Sequence, residues 1–348
     1  MGAVKPVFRA SSPEDREAIV TFLKQVFASD PREPYLQPAH MQWKYWQPSP
    51  GWEGSRSFLL EREGIIVGHG AAWPFTILTP EGSISAFNLI DWAASARLPG
   101  AGTYIMKRMA ELADVVCVFE GTEIARQMRT AMGFRPRNEV HVMARPLRPV
   151  RQTLSHQTKN WKSPARLLRN LARSFSGGTP ANGWGASRVS PAEIAPDVFA
   201  QPSGVSFVFE QGPAVMSYQA DCPTAESQFY SVTYGGAQVG FFHLMLTPGQ
   251  ARMAEASVKG GSPDSWKQLY RLAVSKAKEN KNVHEMVAFG PSPVMREALA
   301  SAGFRTHHHE PVLIFDPKRR IPEEAQLQMQ MVQSDAAFWH PKGANYLT

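Results

Sequence analysis

The chain has 348 residues, of which 43% are hydrophobic and 10% aromatic, and its formal net charge is +7. This length suits two domains, and the composition excludes an intrinsically disordered protein. Its two cysteines fit neither a disulfide framework nor a metal-binding spacing, no apolar run is long enough to span a bilayer, and no segment resembles a signal peptide, so we expect a cytoplasmic protein without a bound metal.

The first 148 residues alternate between strand and helix patterns. A strand is predicted over residues 5–10, and Ser12 and Pro13 then open a helix as its N-cap and first residue. The buried face of this helix is predicted to comprise Ile19, Val20, Phe22, Leu23 and Phe27. Further strands are predicted at residues 57–60, 64–77, 83–94, 115–119 and 140–144, with helices after the strands that end at residues 94 and 119.

A glycine-containing turn, residues 97–102, joins the strand at 83–94 to its helix. Gly100 and Gly102 have no Cβ, so an anion can approach the backbone closely. The helix that follows starts with free N–H groups and a positive dipole end, which together favour a phosphate. The turn is therefore a candidate anion site.

The Arg-x-x-Gly-x-Gly pattern of this turn resembles the acyl-CoA pyrophosphate loop of the GNAT N-acyltransferases. Residues 122–134, which end in Gly133-Phe134, look like the late helix of that family, with Gly133 as C-terminal cap. The resemblance implies that acetyl-CoA, or another acyl-CoA, pairs with the backbone at the end of the preceding strand and places its pyrophosphate on the turn. The implied contacts are Trp92, Ala93 and Ala94 on the strand and Arg97, Leu98, Pro99, Gly100, Ala101, Gly102 and Thr103 on the turn.

The resemblance also implies N-acylation of a small-molecule amine by direct attack in a ternary complex. No Gly-x-Ser-x-Gly motif argues for a covalent intermediate. Two carboxylates are candidates for the base, and each has a structural alternative. Asp91 could be a solvent-facing charge on a half-buried strand, and Glu120 a helix-start residue favoured by the dipole. A base that deprotonates an ammonium is expected to have a raised pKa.

The general acid departs from the family pattern. Arg129 stands where many members have a tyrosine, four residues before the glycine of Gly-Phe, and Thr122 replaces the usual asparagine. An arginine cannot donate a proton at neutral pH, but it can stabilise a thiolate electrostatically. Tyr104 or water then remains as the acid, unless catalysis has been lost.

Aromatic and histidine clusters have competing interpretations. Trp43, Tyr45 and Trp46 could floor an acceptor pocket or form core. His69 is predicted to be a core histidine. The three histidines at 307–309 are predicted to lie on a surface strand, because alternate residues of a strand point to opposite faces and cannot converge on one metal.

Residues 149–187 are rich in Pro, Ser, Gly and Arg and predict a linker. Between Arg145 and Gly178 there are eight basic residues and no acidic one, while the rest of the chain is close to neutral, which does not suggest a DNA-binding protein. A short basic amphipathic helix is predicted over residues 163–173. We favour packing of its leucines 167, 168 and 171 on a domain over a membrane-surface contact through residues 163–175 or an acidic partner.

Residues 188–348 repeat features of the first half. Residues 58–68 match 230–240, and residues 119–135, which end in Met-Gly-Phe-Arg, match 289–305, which end in Ala-Gly-Phe-Arg. The anion turn does not recur, because its place holds Asp264 and Trp266 behind a Ser262-Pro263 N-cap.

We therefore predict an α/β protein of two tandem GNAT-like domains, each a mixed, mostly antiparallel sheet flanked by helices. The domains are a catalytic one at 1–148 and, after the linker at 149–187, a degenerate one at 188–348 that shapes the acceptor cleft. The acceptor is expected to be of the amino-sugar or amino-acid type. Two alternatives are a FemX-like aminoacyltransferase that holds tRNA with the basic linker, and a non-catalytic acyl-CoA-binding protein.

Overall fold

The computed structural model describes residues 5–29, 33–119, 123–155, 163–340 and 346–348. Its helices are α1 (Arg16–Phe27), α2 (Pro38–Met41), α3 (Ala101–Met109), α4 (Glu123–Ala131), α5 (Pro149–Ser155), α6 (Ser163–Ser174), α7 (Pro213–Ala220), α8 (Pro263–Glu279) and α9 (Pro293–Ser301). Its strands are β1 (Val7–Ala10), β2 (Ser57–Arg62), β3 (Ile65–Thr79), β4 (Gly82–Ala94), β5 (Val115–Val118), β6 (Arg135–Pro146), β7 (Trp184–Val189), β8 (Ser206–Phe209), β9 (Glu226–Tyr234), β10 (Ala237–Thr247), β11 (Gln250–Val258), β12 (Glu285–Gly290), β13 (Arg305–Phe315) and β14 (Gln326–Leu327).

The chain forms two compact units. Unit 1 comprises Met1–Arg137, Pro202–Phe209 and Pro311–Gln326. Its strands follow the order β1-β2-β3-β4-β5, with the end of β13 beside β5, and β8 pairs with the far end of β3. The pair β4–β5 is parallel, and the other pairs are antiparallel. Helix α3 buries Ile105 and Met106 in the core of this unit, which also holds Phe87 and Val118.

Unit 2 comprises Asn138–Gln201, Glu210–Glu310 and Leu327–Thr348. Its strands follow the order β6-β12-β11-β10-β9-β7, in which only β11–β12 is parallel among the described pairs. Helices α8 and α9 contribute Leu269, Ala273 and Leu299 to its core, against Phe242 and Met286 of the sheet. Each unit is thus a mixed, mostly antiparallel sheet with helices on it, which confirms the predicted fold class.

Each unit takes one strand from the other half of the sequence. Strand β6, which follows α4, pairs with β12 in unit 2, where Val142 lies opposite Phe289. The end of β13, which follows α9, pairs with β5 in unit 1, where Ile314 lies opposite Cys117. The predicted limits at residues 148 and 188 follow the sequence repeat, whereas the compact units follow strand pairing.

The predicted start of the first helix is confirmed. The N–H of Ser12 donates to the Asp15 carboxylate at 2.8 Å, and the two residues form a capping box. Of the predicted buried face, Ile19, Phe22 and Leu23 are buried and Val20 is half-buried. The prediction for Phe27 is wrong, because this residue stands in the last turn of α1 and its side chain is exposed.

Helices α4 and α9 end in the same way. Gly133 has a φ of 95°, and the N–H of Phe134 donates to the carbonyl five residues earlier at 3.1 Å. After α9, Gly303 has a φ of 89°, and the N–H of Phe304 donates to the carbonyl five residues earlier at 3.0 Å. Both are glycine C-caps of the Schellman type, which confirms the predicted role of Gly133. The repeated Gly-Phe motif therefore has one backbone geometry in both halves.

Candidate functional site

The turn between β4 and α3 presents free backbone N–H groups. Gly100 is the N-cap of α3 with a φ of 85°, and a side chain at this position would meet no atom within 4 Å. The N–H of Ala101 donates to the carbonyl of Leu98 at 3.1 Å, whereas the amides of Gly102 and Thr103 lie in the first turn, where a helix supplies no partner. These two amides, the positive end of the helix dipole and an exposed arginine are what an anion requires.

The predicted cofactor-binding residues lie together at this turn. Strand β4 ends with Ala93 and Ala94. In the turn, the exposed residues are Arg97, Pro99 and Gly100, and Leu98 is half-buried. At the start of α3, the buried residues are Ala101 and Gly102, and Thr103 is half-buried.

The side chain of Trp92 fixes the start of α3. Its Nε1 donates to the carbonyl of Gly102 at 3.2 Å. A Cβ on Gly102 would lie 3.2 Å from Cζ2 of Trp92 and 3.3 Å from Cβ of Ala94. Glycine at 102 therefore allows close packing, whereas glycine at 100 favours the left-handed backbone of the turn.

Strand β4 has an open edge before the turn. Among the described residues, β5 pairs with β4 only at Ala86, Phe87 and Asn88, although β4 continues to Ala94. The N–H of Ser95 donates to the carbonyl of Val67 in β3 at 2.9 Å. Since successive strand residues direct their N–H groups to alternate edges, the N–H of Ala94 points away from β3. An extended chain could pair along this edge as an added strand.

A β-bulge interrupts β4 beside this edge. Two residues of β4, Asp91 and Trp92, lie opposite one residue of β3, Gly70. Asp91 has a φ of 49°, in the left-handed region that non-glycine residues rarely adopt. Bulges and strained residues of this kind concentrate next to active sites, where they redirect backbone groups and side chains.

The carboxylate of Asp91 is buried in an ion pair. Its Oδ2 lies 2.6 Å from Nζ of Lys44 and accepts a hydrogen bond of 2.6 Å from the hydroxyl of Tyr45. The Lys44 and Asp91 side chains are only 0% and 8% exposed. His69 lies beneath the bulge, with Nδ1 2.9 Å from the backbone oxygen of Asp91 and Nε2 3.0 Å from Oγ of Ser57. His69 is thus the satisfied core histidine that the sequence predicted.

Comparisons with known proteins address the fold. The sequence matches no protein-family model, and no curated protein matches it. The structure is similar to a GCN5-related N-acetyltransferase from Anabaena variabilis, with a TM-score of 0.53 and 10% identity over 90% of this chain and 73% of that one. It is also similar to the N-myristoyltransferase of Saccharomyces cerevisiae with bound myristoyl-CoA, with a TM-score of 0.61 and 10% identity over 93% of this chain and 85% of that one. The chain has the GNAT fold. At this level of identity, the likeness is one of fold.

The charge state of Asp91 differs from the one expected of a base. Burial in the GNAT fold raises the pKa of this carboxyl group, but the Lys44 ammonium and the Tyr45 hydroxyl outweigh burial, and the pKa lies below its usual value. The expected raised pKa is therefore wrong for Asp91, as is the solvent-facing alternative. Both failed because sequence alone did not reveal a buried lysine beside the carboxylate.

Lys44 and Tyr45 project from a π-helical turn, Gln42–Trp46, that follows α2. The guanidinium of Arg56, itself fully buried, donates to the carbonyls of Trp43, Lys44 and Gln47 at 2.6, 2.8 and 2.7 Å and so fixes this turn. Of the aromatic cluster, Trp43 and Tyr45 belong to the core, and Trp46 is half-buried. In the sequence, only the position of Lys44 between Trp43 and Tyr45 indicates that this lysine could be buried.

His40 of α2 predicts an acid sensitivity of this region. Burial, and then the Lys44 ammonium, lower the pKa of His40 to about 3. In the unfolded chain a histidine has a pKa of about 6.5. Between this pKa and the folded one, the unfolded chain binds one more proton than the folded chain. The free energy of unfolding therefore falls as the pH falls through this range. We expect His40→Gln to lose less stability than the wild type between about pH 7 and about pH 5, by up to about 1.4 kcal/mol per pH unit. Urea unfolding at both pH values measures this, and equal losses would contradict it.

Helix α4 of the GNAT fold brings Arg129 to the bulge. Its Cζ lies 5.9 Å from the ring centroid of Trp92, and its side chain is buried. The neighbouring Met128 packs over the start of α3, with Cε 3.4 Å from where a Cβ of Gly102 would lie. The structure thus places Arg129 against Trp92, the residue that follows Asp91 in the bulge. Tyr104 is exposed on α3, and Glu120 and Thr122 lie outside the described residues.

The equivalent turn of unit 2 is closed. Oγ of Ser262 accepts from the N–H of Ser265 at 3.1 Å, which confirms the predicted N-cap of α8. Asp264 pairs with Lys267 at 2.5 Å, and Trp266 stacks on the ring of Tyr270. The N-cap side chain of Ser262 therefore occupies a backbone N–H in the first turn of α8, whereas the first turn of α3 has no such side-chain partner among the described residues.

Within the described ranges, no group of three or more His, Cys, Asp or Glu residues is arranged to hold a metal ion. His307 and His309 lie exposed on β13, as predicted for a surface strand. Cys117 is a buried, free thiol in β5, and burial raises its pKa to about 12.

Proposed function

We propose that the chain is an acyltransferase that moves an acyl group from acyl-CoA to the amine of a small-molecule acceptor. The observation that carries the proposal is the open edge of β4, which leads through a bulge to the uncapped amides of α3. An extended pantetheine chain matches the open strand edge, and the negatively charged pyrophosphate that follows it in CoA matches the free amides of α3. Solved proteins of the same fold include an N-acetyltransferase and an enzyme with bound myristoyl-CoA, which supports an acyl-CoA as donor.

In this proposal, the backbone of Trp92, Ala93 and Ala94 pairs with pantetheine, and residues 97–103 hold the pyrophosphate. A backbone N–H at the bulge polarises the thioester carbonyl, because a donor that is already oriented stabilises the developing oxyanion without reorganisation. The acyl group is acetyl or longer, and the acceptor is of the amino-sugar or amino-acid type.

Of the two candidate bases, Asp91 and Glu120, the lowered pKa of Asp91 argues against the first. Asp91 is held ionised by Lys44 in a buried ion pair, and its lowered pKa makes it a weak proton acceptor. We therefore assign Asp91 to maintaining the bulge, and the proton of the amine passes to water or to Glu120. No protein nucleophile is needed for this route, since the amine attacks the thioester directly.

Arg129 is proposed to stabilise the leaving thiolate. We expect Arg129→Gln to lower kcat by roughly ten- to hundredfold with KM for acyl-CoA little changed, because the lost interaction forms as charge develops on sulfur. Arg129→Lys keeps the charge and should retain more of kcat. Steady-state kinetics of both variants measure this, and a glutamine variant as fast as the lysine variant would exclude the electrostatic role.

The reaction itself is tested by thiol release from acetyl-CoA and from myristoyl-CoA in the presence of a panel of amino sugars and amino acids. Amine-dependent release by the wild type, together with the acylated amine in the mass spectrum, is the expected result. Tight acyl-CoA binding without turnover by any amine would instead favour the acyl-CoA-binding alternative, which the arginine at position 129 suggests.

A further inference from the structure

Helix α6 and the residue after it expose large apolar side chains. Leu168 is 69% exposed and Phe175 is 85% exposed, and with Leu154 of α5, at 68%, they are the most exposed large apolar side chains among the described residues. The sequence predicted that Leu167, Leu168 and Leu171 all pack on a domain. That prediction is wrong for Leu168, because only Leu167 and Leu171 are half-buried.

The exposed residues form one stripe. Ala165, Leu168 and Ala172 are exposed along α6 at spacings of three and four residues, and Phe175 continues the series. The opposite side of the helix is anchored, since the side chain of Asn170 is buried and its Nδ2 donates to Gln152 of α5 at 3.1 Å. The stripe therefore faces solvent because the helix is fixed by its other side.

Positive charge flanks the stripe without compensation. Arg169 is exposed and Arg173 is half-buried, and neither forms an ion pair with any residue in the described ranges. Burial lowers the pKa of Arg173, and the nearby Arg169 and Arg305 lower it further, as expected for cations that repel one another. With no acidic residue between Arg145 and Gly178, this surface has a positive potential that an anionic partner would neutralise.

We propose that α6 with Phe175 binds the surface of a membrane rich in anionic phospholipid, with Leu168 and Phe175 entering the acyl-chain boundary and Arg169 and Arg173 contacting headgroup phosphates. A helix with an apolar stripe and a basic flank is the arrangement that lies in a membrane interface. Apolar insertion and charge attraction are each weak alone and act together. Within the described part of the chain no helix combines the length and apolar composition needed to cross a bilayer.

The test is cosedimentation of the full chain with vesicles of phosphatidylcholine alone and of phosphatidylcholine mixed with phosphatidylglycerol. We expect binding to the mixed vesicles that weakens as salt is raised, because exposed charge interactions are screened. Leu168→Ser combined with Phe175→Ser should weaken this binding at least about tenfold, since two large apolar side chains no longer leave water. Arg169→Glu should weaken it as well. The matched control is Ile65→Ser, which removes another exposed apolar side chain, in β3.

Other occupants give distinct results that would overturn the proposal. Wild-type binding to neither vesicle, or equal binding by the double serine variant, would exclude the membrane surface. Salt-sensitive binding of tRNA that Arg169→Glu abolishes and the double serine variant retains would identify an RNA site. Self-association in sedimentation velocity that the double serine variant abolishes would identify a second copy of the chain. Circular dichroism of each variant checks that it is folded.

Discussion

Replacing Asp91 with asparagine is expected to lower the free energy of unfolding by roughly 3–5 kcal/mol, because it leaves the buried Lys44 ammonium without its counter-ion. Asparagine is the least disruptive replacement available. It is close in shape, tolerates the left-handed backbone of position 91, and still offers an oxygen to the hydroxyl of Tyr45. The loss of unfolding free energy would therefore measure the effect of removing the charge. Urea unfolding monitored by tryptophan fluorescence measures it.

A double-mutant cycle measures the interaction energy between Lys44 and Asp91 separately from their contacts with other residues. Lys44→Met should be destabilising on its own, since it leaves the carboxylate buried and unpaired, and the variant with both changes should lose less than the sum of the two. Additive losses would mean that the two groups do not interact.

The pH dependence of stability has a defined sign, because the pKa of Asp91 is lowered in the folded state. Its stabilising contribution is present above the unfolded value of about 3.9 and is lost as the pH falls through the lower folded value.

Gly100→Asp is expected to weaken acetyl-CoA binding at least about tenfold, or 1.4 kcal/mol, because it places a carboxylate beside the proposed pyrophosphate site. Gly64→Asp is a matched control in unit 1. Both glycines have a left-handed backbone, with φ of 85° and 74°, and a side chain at either position would meet no atom within 4 Å. The strain of the substitution is thus similar, while only position 100 belongs to the turn. Calorimetric titration of both variants and the wild type measures the affinities.

Three outcomes of this titration are informative. Loss of binding in Gly100→Asp alone would locate the cofactor at the turn and justify the amine screen. Equal binding by all three proteins would move the cofactor site away from the turn. Absence of binding by the wild type would reject the acyltransferase proposal, since every step of it begins with acyl-CoA.

The sequence predicted the features that depend on neighbouring residues. The helix start at Ser12, the Gly133 cap and the Ser262 N-cap are each specified by residues within a few positions, and all three are present. The turn at residues 97–102 was likewise recognisable, because glycine placement, strand and helix follow one another directly in the chain.

The sequence did not reveal what depends on distant residues. Tyr45 and Asp91 are 46 positions apart, and neither periodicity nor motif indicates that the lysine next to Tyr45 would pair with a strand carboxylate. The amphipathic pattern of α6 correctly indicated a stripe, but it carried no information on which leucines a neighbouring helix would cover. Leu168 was therefore assigned to the wrong environment.

The exchange of strands has a consequence for synthesis of the chain. Strand β5 receives its antiparallel neighbour from residues 313–315, so nearly the whole chain must be made before unit 1 can be completed. Until then, β5 has an unpaired edge, and unpaired strand edges are prone to non-native pairing. A fragment ending at residue 148 would keep this edge of β5 unpaired, because it lacks the strand that belongs beside β5.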